Sequence, residues 1–192
     1  MNTEVRRDQQ AAVLGFAATQ QSLDVVPALF QRFDKGRPVY LIPDGGGGWL
    51  ETSPEVHDRF FAAADERSKG KLRKVAQLVK WWKHSRESAI PIQSFHIDML
   101  LASSDICVGV KPYTHCLYQS LKLLADRECR GLRDPCGVAG VIYAAHTDRQ
   151  WESINRAIQV ALQHASAAIA AETVKDFQEA NRQWQIVFKG EY

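Results

Sequence analysis

The chain has 192 residues, of which 45% are hydrophobic, and is therefore long enough to bury a core as one domain or as one domain with an appendage. It contains no run of about 18 apolar residues and no signal-type segment near its start, which favours a cytoplasmic protein over a membrane or secreted one. The net charge is only +2, yet the segment between Glu66 and Glu87 carries eight basic residues and no acid, a pattern typical of an anionic partner or of a solvated helix face.

The first 53 residues are predicted to form about three strands. Their apolar runs cover residues 11–16, 23–30 and 38–43, with turn-prone residues between them. The second run contains Asp24 between Leu23 and Val25. An ionised carboxylate is costly to bury on a strand without a partner, so Asp24 is expected either to face solvent or to hold a cation.

The remaining residues, 54–192, are predicted to form a helical lobe. Helices are expected over about 54–69, 72–85, 93–101, 115–130 and 149–181. On the second helix a buried stripe and a basic face lie side by side. The stripe is Leu72, Val75, Ala76, Val79 and Trp82, and the basic face is Arg73, Lys80 and His84. The predicted fold class is therefore α+β and predominantly helical, with a small N-terminal sheet followed by a helical bundle.

Three strands ahead of a run of helices make a poor independent fold. Their edges need partners and their faces need cover, but no helix lies among them. We therefore expect the sheet to be a remnant that lacks further strands and a helix.

Five short blocks, taken in order, resemble the CD-NTase family, the oligoadenylate-synthetase-like nucleotidyltransferases that make oligonucleotide second messengers. No single block is specific, but their order and spacing match over essentially the whole chain. The blocks are residues 23–28, the Ile42 to Pro54 segment with its four glycines, residues 78–82 (Leu-Val-Lys-Trp-Trp), residues 94–98 (Ser-Phe-His-Ile-Asp), and Asp134-Pro135 with residues 184–188.

The resemblance implies a chemistry and a set of roles. Such enzymes join nucleotides through a ribose hydroxyl and hold two Mg²⁺ ions with three carboxylates. Asp24 matches the third carboxylate, a catalytic residue and metal ligand. Lys80 and Ser94 match residues that bind the phosphates of a nucleoside triphosphate, and Phe95 matches an aromatic residue that stacks on a base. The residues alone also allow a solvated Lys80, a helix-capping Ser94 and a core Phe95.

The chain departs from the family pattern at the other two carboxylates. It contains neither the Gly-Ser dipeptide nor the Asp-x-Asp pair that normally supply the rest of the metal site. One carboxylate cannot organise two Mg²⁺ ions, so we expect no product from this chain alone.

Four interpretations remain open at this stage. The chain is the C-terminal portion of a truncated nucleotidyltransferase of antiviral signalling, or it is half of a split enzyme completed by a second chain. Alternatively it is a non-catalytic helical module that binds a nucleotide or a protein partner. The fourth, less favoured, is an unrelated helical protein whose basic face contacts nucleic acid.

Overall fold

The structure is a computed structural model that describes residues 3–8, 10–17, 21–85, 88–127 and 130–189. The chain forms two compact units. One comprises Met1–Asp58 with Cys136–Gly140, and the other comprises Arg59–Pro135 with Val141–Tyr192. Within the described ranges, no helix combines the length and the apolar composition needed to cross a lipid bilayer.

The first unit contains two antiparallel three-stranded sheets. The first sheet has the order β1-β2-β3 and the second the order β4-β5-β6. The strands are β1 (Thr3–Asp8), β2 (Ala11–Phe16), β3 (Gln21–Val25), β4 (Leu29–Asp34), β5 (Arg37–Pro43) and β6 (Trp49–Thr52).

The described residues of this unit form six strands, whereas the apolar runs predicted about three. The prediction for β2 is confirmed at both ends. The run over 23–30 is divided between β3 and β4, with Pro27 in the gap, because proline has no N–H group to donate to a strand ladder. Neither β1 nor β6 was expected.

A glycine-rich turn joins β5 to β6. Its geometry depends on Asp44, whose Oδ1 accepts hydrogen bonds from the N–H groups of Gly46 at 2.7 Å and Gly48 at 2.8 Å. These bonds stabilise the ionised form and lower the pKa of Asp44. The glycines lead into β6 and not directly into a helix: Trp49 is the first residue of that strand and is 58% exposed.

The strands of this unit carry an unusual amount of exposed apolar surface. Every residue of β3 and β4 is exposed, including Leu23, Leu29, Phe30 and Phe33. The ring of Phe30 packs only locally in the contacts observed, at 5.1 Å from Phe33 and 5.9 Å from Tyr40. An apolar surface of this extent is typical of a face that other protein covers.

Six helices and a short hairpin make up most of the rest of the described chain. The helices are α1 (Pro54–Arg67), α2 (Lys71–His84), α3 (Ser94–Ala102), α4 (Tyr113–Asp126), α5 (Asp148–Thr173) and α6 (Phe177–Lys189). The hairpin pairs β7 (Leu132–Arg133) with β8 (Val141–Ile142). The single long helix expected over 149–181 is two helices, because the backbone turns at Lys175, which adopts a φ of 63°.

The core of the second unit confirms the predicted buried stripe of α2. All five residues of the stripe are buried. The two adjacent tryptophans point in different directions, as neighbouring residues on a helix do, so that Trp82 is fully buried and Trp81 is 64% exposed. The stripe therefore fixes which residues of α2 face outward, among them Lys80.

Candidate functional site

A cluster of charged and polar side chains lies where α2 meets α3. Lys80 and Lys83 are one turn apart on α2, and Ser94 and Asp98 are one turn apart on α3. Lys80 Nζ donates to Asp98 Oδ2 at 2.6 Å, and Lys83 Nζ donates to Ser94 Oγ at 3.1 Å. The two helices thus place two cations and a hydroxyl at the first turn of α3.

The ion pair between Lys80 and Asp98 is partly buried. Their side chains are 33% and 24% exposed, respectively. Burial raises the pKa of Asp98, although the neighbouring Lys80 ammonium acts in the opposite direction. The second carboxylate oxygen, Asp98 Oδ1, is buried and has no hydrogen-bond partner among the described residues. Asp98 therefore compensates the charge of Lys80 at some cost in solvation.

Lys83 is held differently from Lys80. Its Nζ donates to the carbonyl oxygen of Ile92 at 2.7 Å in addition to Ser94, so its observed partners are neutral oxygens. Burial lowers the pKa of Lys83, and the nearby ammonium of Lys80 lowers it further. Within the described ranges no carboxylate pairs with Lys83, so its charge is not compensated there.

The first turn of α3 adds a third favourable element for an anion. Gln93 precedes the helix in an extended conformation and makes no side-chain cap. The N–H groups at a helix start point outward and carry the positive end of the helix dipole. Ser94 is the first helical residue, and Phe95 beside it is 39% exposed. This combination of groups can bind a phosphate and offer an aromatic face next to it.

His96 anchors this turn to the hairpin. Its ring is 1% exposed, and its Nδ1 lies 3.0 Å from the carbonyl oxygen of Ile142 in β8. Because a carbonyl oxygen only accepts, Nδ1 carries the proton and donates it. This buried hydrogen bond therefore fixes the orientation of α3 and, with it, the positions of Ser94 and Phe95.

Outside this cluster, Arg73 of the predicted basic face is paired with an acid, and the neighbouring Lys74 lies over an aromatic ring. Arg73 Nε lies 3.3 Å from the carboxylate of Asp65, and its guanidinium stacks over the ring of Phe61 at 5.2 Å. Lys74 lies 6.0 Å over the ring of Tyr113. The face is thus a less uniform source of positive charge than its residue types indicate.

Asp24 belongs to the other compact unit, on β3 opposite Val13 of β2. Asp24 is exposed, which agrees with the expectation that it either faces solvent or holds a cation. It lies in no cluster of three or more potential metal ligands among the described residues. The described residues around Asp24 therefore do not by themselves fit a site for two Mg²⁺ ions, which needs several carboxylates.

Sequence reasoning placed Lys80 and Ser94 at phosphate-binding positions, and the structure brings both into one cluster. Lys83, which joins Ser94 to that cluster, was counted in the basic run but was not singled out. Its spacing of three residues from Lys80 is the signal that could have identified it, because residues three apart share a helix face.

No known protein-family profile matches the sequence. Among curated proteins, a probable cyclic nucleotide synthase of Bacillus cereus is 23% identical over 193 residues, covering 98% of this chain and 57% of that protein. The cyclic AMP-AMP-AMP synthase of Escherichia coli is 26% identical over 131 residues, covering 66% of this chain and 40% of that protein. The chain thus spans about half the length of the curated relatives it matches.

Solved structures give the same comparison. The cyclic AMP-GMP synthase DncV of Vibrio cholerae, in complex with nonhydrolyzable GTP, matches 98% of this chain and 53% of its own, with a TM-score of 0.72 and 17% identity. CdnC of E. coli with ATP matches 96% of this chain and 65% of its own, with a TM-score of 0.69 and 21% identity. CdnC has also been solved in complex with a HORMA protein. The predicted α+β fold class is confirmed, and the fold is shared with cyclic nucleotide synthases.

Proposed function

We propose that this chain is part of a CD-NTase nucleotidyltransferase that makes cyclic or linear oligonucleotides from nucleoside triphosphates, as a cytoplasmic second-messenger enzyme of antiviral signalling. The observation that carries the proposal is the cluster of Lys80, Lys83 and Ser94 at the start of α3. The similarity to cyclic nucleotide synthases supports the family, and the cluster supplies the chemistry that a triphosphate needs.

The helical lobe, residues 54–192, is assigned to triphosphate binding. Lys80 provides a point charge for a phosphate once it leaves Asp98, and Ser94 provides a hydroxyl donor. Phe95 stacks on the nucleobase with its exposed ring face, a contact that contributes about 1 to 3 kcal/mol. Together these groups bind a nucleoside triphosphate at both its charged and its aromatic ends.

The strand segment, residues 1–53, is assigned to the metal site through Asp24. Mg²⁺ is the expected cofactor, but Asp24 alone does not fit it, so the acid pair and the Gly-Ser turn are supplied from outside these 192 residues. The supplying segment belongs to a longer form of this protein or to a second chain. The exposed apolar residues of β3 and β4 support this arrangement, because they offer a face for such a segment to cover.

Two measurements test the proposal in sequence. Isothermal titration calorimetry with ATP and GTP should show binding to the 192-residue chain, and Lys80→Met should weaken it. A Mg²⁺ assay with labelled nucleoside triphosphates should then give no product from the chain alone. Product should appear when a segment carrying Gly-Ser and Asp-x-Asp is added.

In the second assay, Asp24→Asn should abolish product while leaving ATP binding unchanged. Product from the chain alone would remove the need for the outside segment, and absence of ATP or GTP binding would refute the nucleotide site.

A non-catalytic module that binds a nucleotide or a protein partner is the second candidate. The observation that favours it is the exposed Asp24, which belongs to no cluster of potential metal ligands among the described residues. If the module binds a nucleotide, ATP binding persists; with either kind of partner, no added acid-bearing segment restores synthesis. The two candidates therefore differ in the outcome of the reconstitution assay.

A further inference from the structure

The two lysines of the candidate phosphate site differ in charge balance. Lys80 already has a carboxylate partner, Asp98, at 2.6 Å. Lys83 has only neutral partners among the described residues, the carbonyl oxygen of Ile92 and the hydroxyl of Ser94. An ammonium group has three N–H donors, and these two bonds use two of them. One N–H donor of Lys83 is therefore unused among the described residues, and its positive charge has no carboxylate partner there.

Ser94 links Lys83 to the helix start. Its Oγ accepts a hydrogen bond from Lys83, which leaves its own O–H as a donor. The hydroxyl and the ammonium are thus both donors at the positive end of the α3 dipole. An oxyanion bound there would accept hydrogen bonds from the Lys83 ammonium on α2 and from the Ser94 hydroxyl on α3. Lys83 would not have to leave a carboxylate first.

Lys80 faces a different energy balance. For Lys80 to bind a phosphate, its ammonium has to leave Asp98 or share its donors with it. If Lys80 left, the Asp98 carboxylate would lose its cation, and its second oxygen is already buried without a partner among the described residues. Attraction between Lys80 and a phosphate is therefore offset by the loss of an existing partner.

We propose that Lys83, with Ser94, is the principal phosphate-binding cation of this site, and that Asp98 restrains Lys80 in a secondary role. The inference rests on the proposed nucleotide site and names the residue that determines its affinity for the triphosphate. The ligand class is a polyphosphate, either free or as part of a nucleotide. Burial and the charge of Lys80 lower the pKa of Lys83, so a bound polyphosphate would stabilise its charged form.

The experiment compares matched charge removals by titration calorimetry, with ATP and inorganic triphosphate as probes. Lys83→Met should weaken binding of both probes roughly 10- to 100-fold, the effect of losing a hydrogen bond to a charged group. Lys80→Met should have a smaller effect. Lys74→Met removes the same charge from the same helix at a position over Tyr113, and it should leave both affinities nearly unchanged.

Asp98→Asn provides a second, independent arm. Removing the negative charge should release Lys80 and tighten binding of both probes. Weaker or unchanged binding by Asp98→Asn would overturn the restraining role of Asp98. A larger loss for Lys80→Met than for Lys83→Met would overturn the principal role of Lys83.

Proton linkage gives a readout that a merely structural role for Lys83 would not move. Because burial and Lys80 lower the pKa of Lys83, a bound phosphate should raise that pKa again and cause proton uptake at alkaline pH, measured as a dependence of binding enthalpy on buffer ionisation. Lys83→Met should lose that uptake, and its persistence would contradict the assignment. The melting temperature of each variant shows whether it folds. If Lys83→Met does not fold, Lys83→Gln replaces it in these measurements.

Failure of this inference is distinguishable from failure of the proposed function. Binding of ATP that depends on Lys80 but not on Lys83 leaves the nucleotide site intact and refutes only the assignment to Lys83. Absence of binding by the unmodified chain refutes both.

Discussion

His96 makes the stability of the helical unit depend on pH in a calculable way. Its ring is 1% exposed, and Nδ1 donates to Ile142, which leaves Nε2 buried without a partner among the described residues. Protonation of Nε2 would create a buried cation that has no acceptor. Burial accordingly lowers the pKa of His96, the Ile142 bond opposes this, and the charge of Arg127 adds to the lowering.

The sign of the effect follows from proton binding. A lowered pKa means that the unfolded chain binds the proton more tightly, so stability is lost as the pH falls through the unfolded value of about 6.5. If the folded ring cannot be protonated at all, the loss between about pH 7.5 and about pH 5.5 reaches at most about 1.4 kcal/mol.

The test is urea unfolding across this pH range for the unmodified chain and for His96→Asn, which keeps a donor for Ile142. The advantage of the unmodified chain should shrink by up to about 1.4 kcal/mol at the acidic end. Ile97→Val, a change in the neighbouring buried residue, should produce a stability difference that is independent of pH. A pH-independent difference for His96→Asn as well would show that His96 does not cause the loss of stability at acidic pH.

Three further substitutions test the packing, capping and backbone geometry. Trp82→Ala should destabilise the chain by about 3 to 5 kcal/mol because it empties a fully buried site. Trp81→Ala, at an exposed position of the same helix, should change the stability by no more than about 0.5 kcal/mol. Equal losses of stability for the two variants in thermal unfolding would contradict this. Thr147→Ala should cost about 1 kcal/mol in urea unfolding, because it breaks the reciprocal capping box with Gln150 at the start of α5. Lys175→Gly should raise the unfolding free energy by about 0.5 to 1 kcal/mol, since glycine adopts the positive φ of that position without strain; a loss would contradict it.

The strands show where sequence patterns succeed and where they fail. β2 was predicted accurately because its residues form an unbroken apolar run with β-favouring members. β1, with the sequence Thr-Glu-Val-Arg-Arg-Asp, has a single large apolar residue, and pairing with β2 rather than local composition makes it a strand. The division at Pro27 was readable in principle, because proline disfavours a central position in a strand.

The helices show the same contrast. The buried stripe of α2 was predictable because it depends on helical spacing alone. The break between α5 and α6 was not, because neither glycine nor proline marks it, and Lys175 takes its left-handed conformation in the folded chain. In the site, the resemblance to CD-NTases indicated Lys80 and Ser94, but the pairing of Lys80 with Asp98 and of Lys83 with Ser94 depends on how α2 packs against α3.

¹H–¹⁵N NMR of the 192-residue chain titrated with ATP tests whether a triphosphate binds at the start of α3. We expect the largest shifts on the amides of Ser94 and Phe95 and on the ammonium groups of Lys83 and Lys80. Absence of shifts, or shifts confined to residues outside α2 and α3, would contradict it.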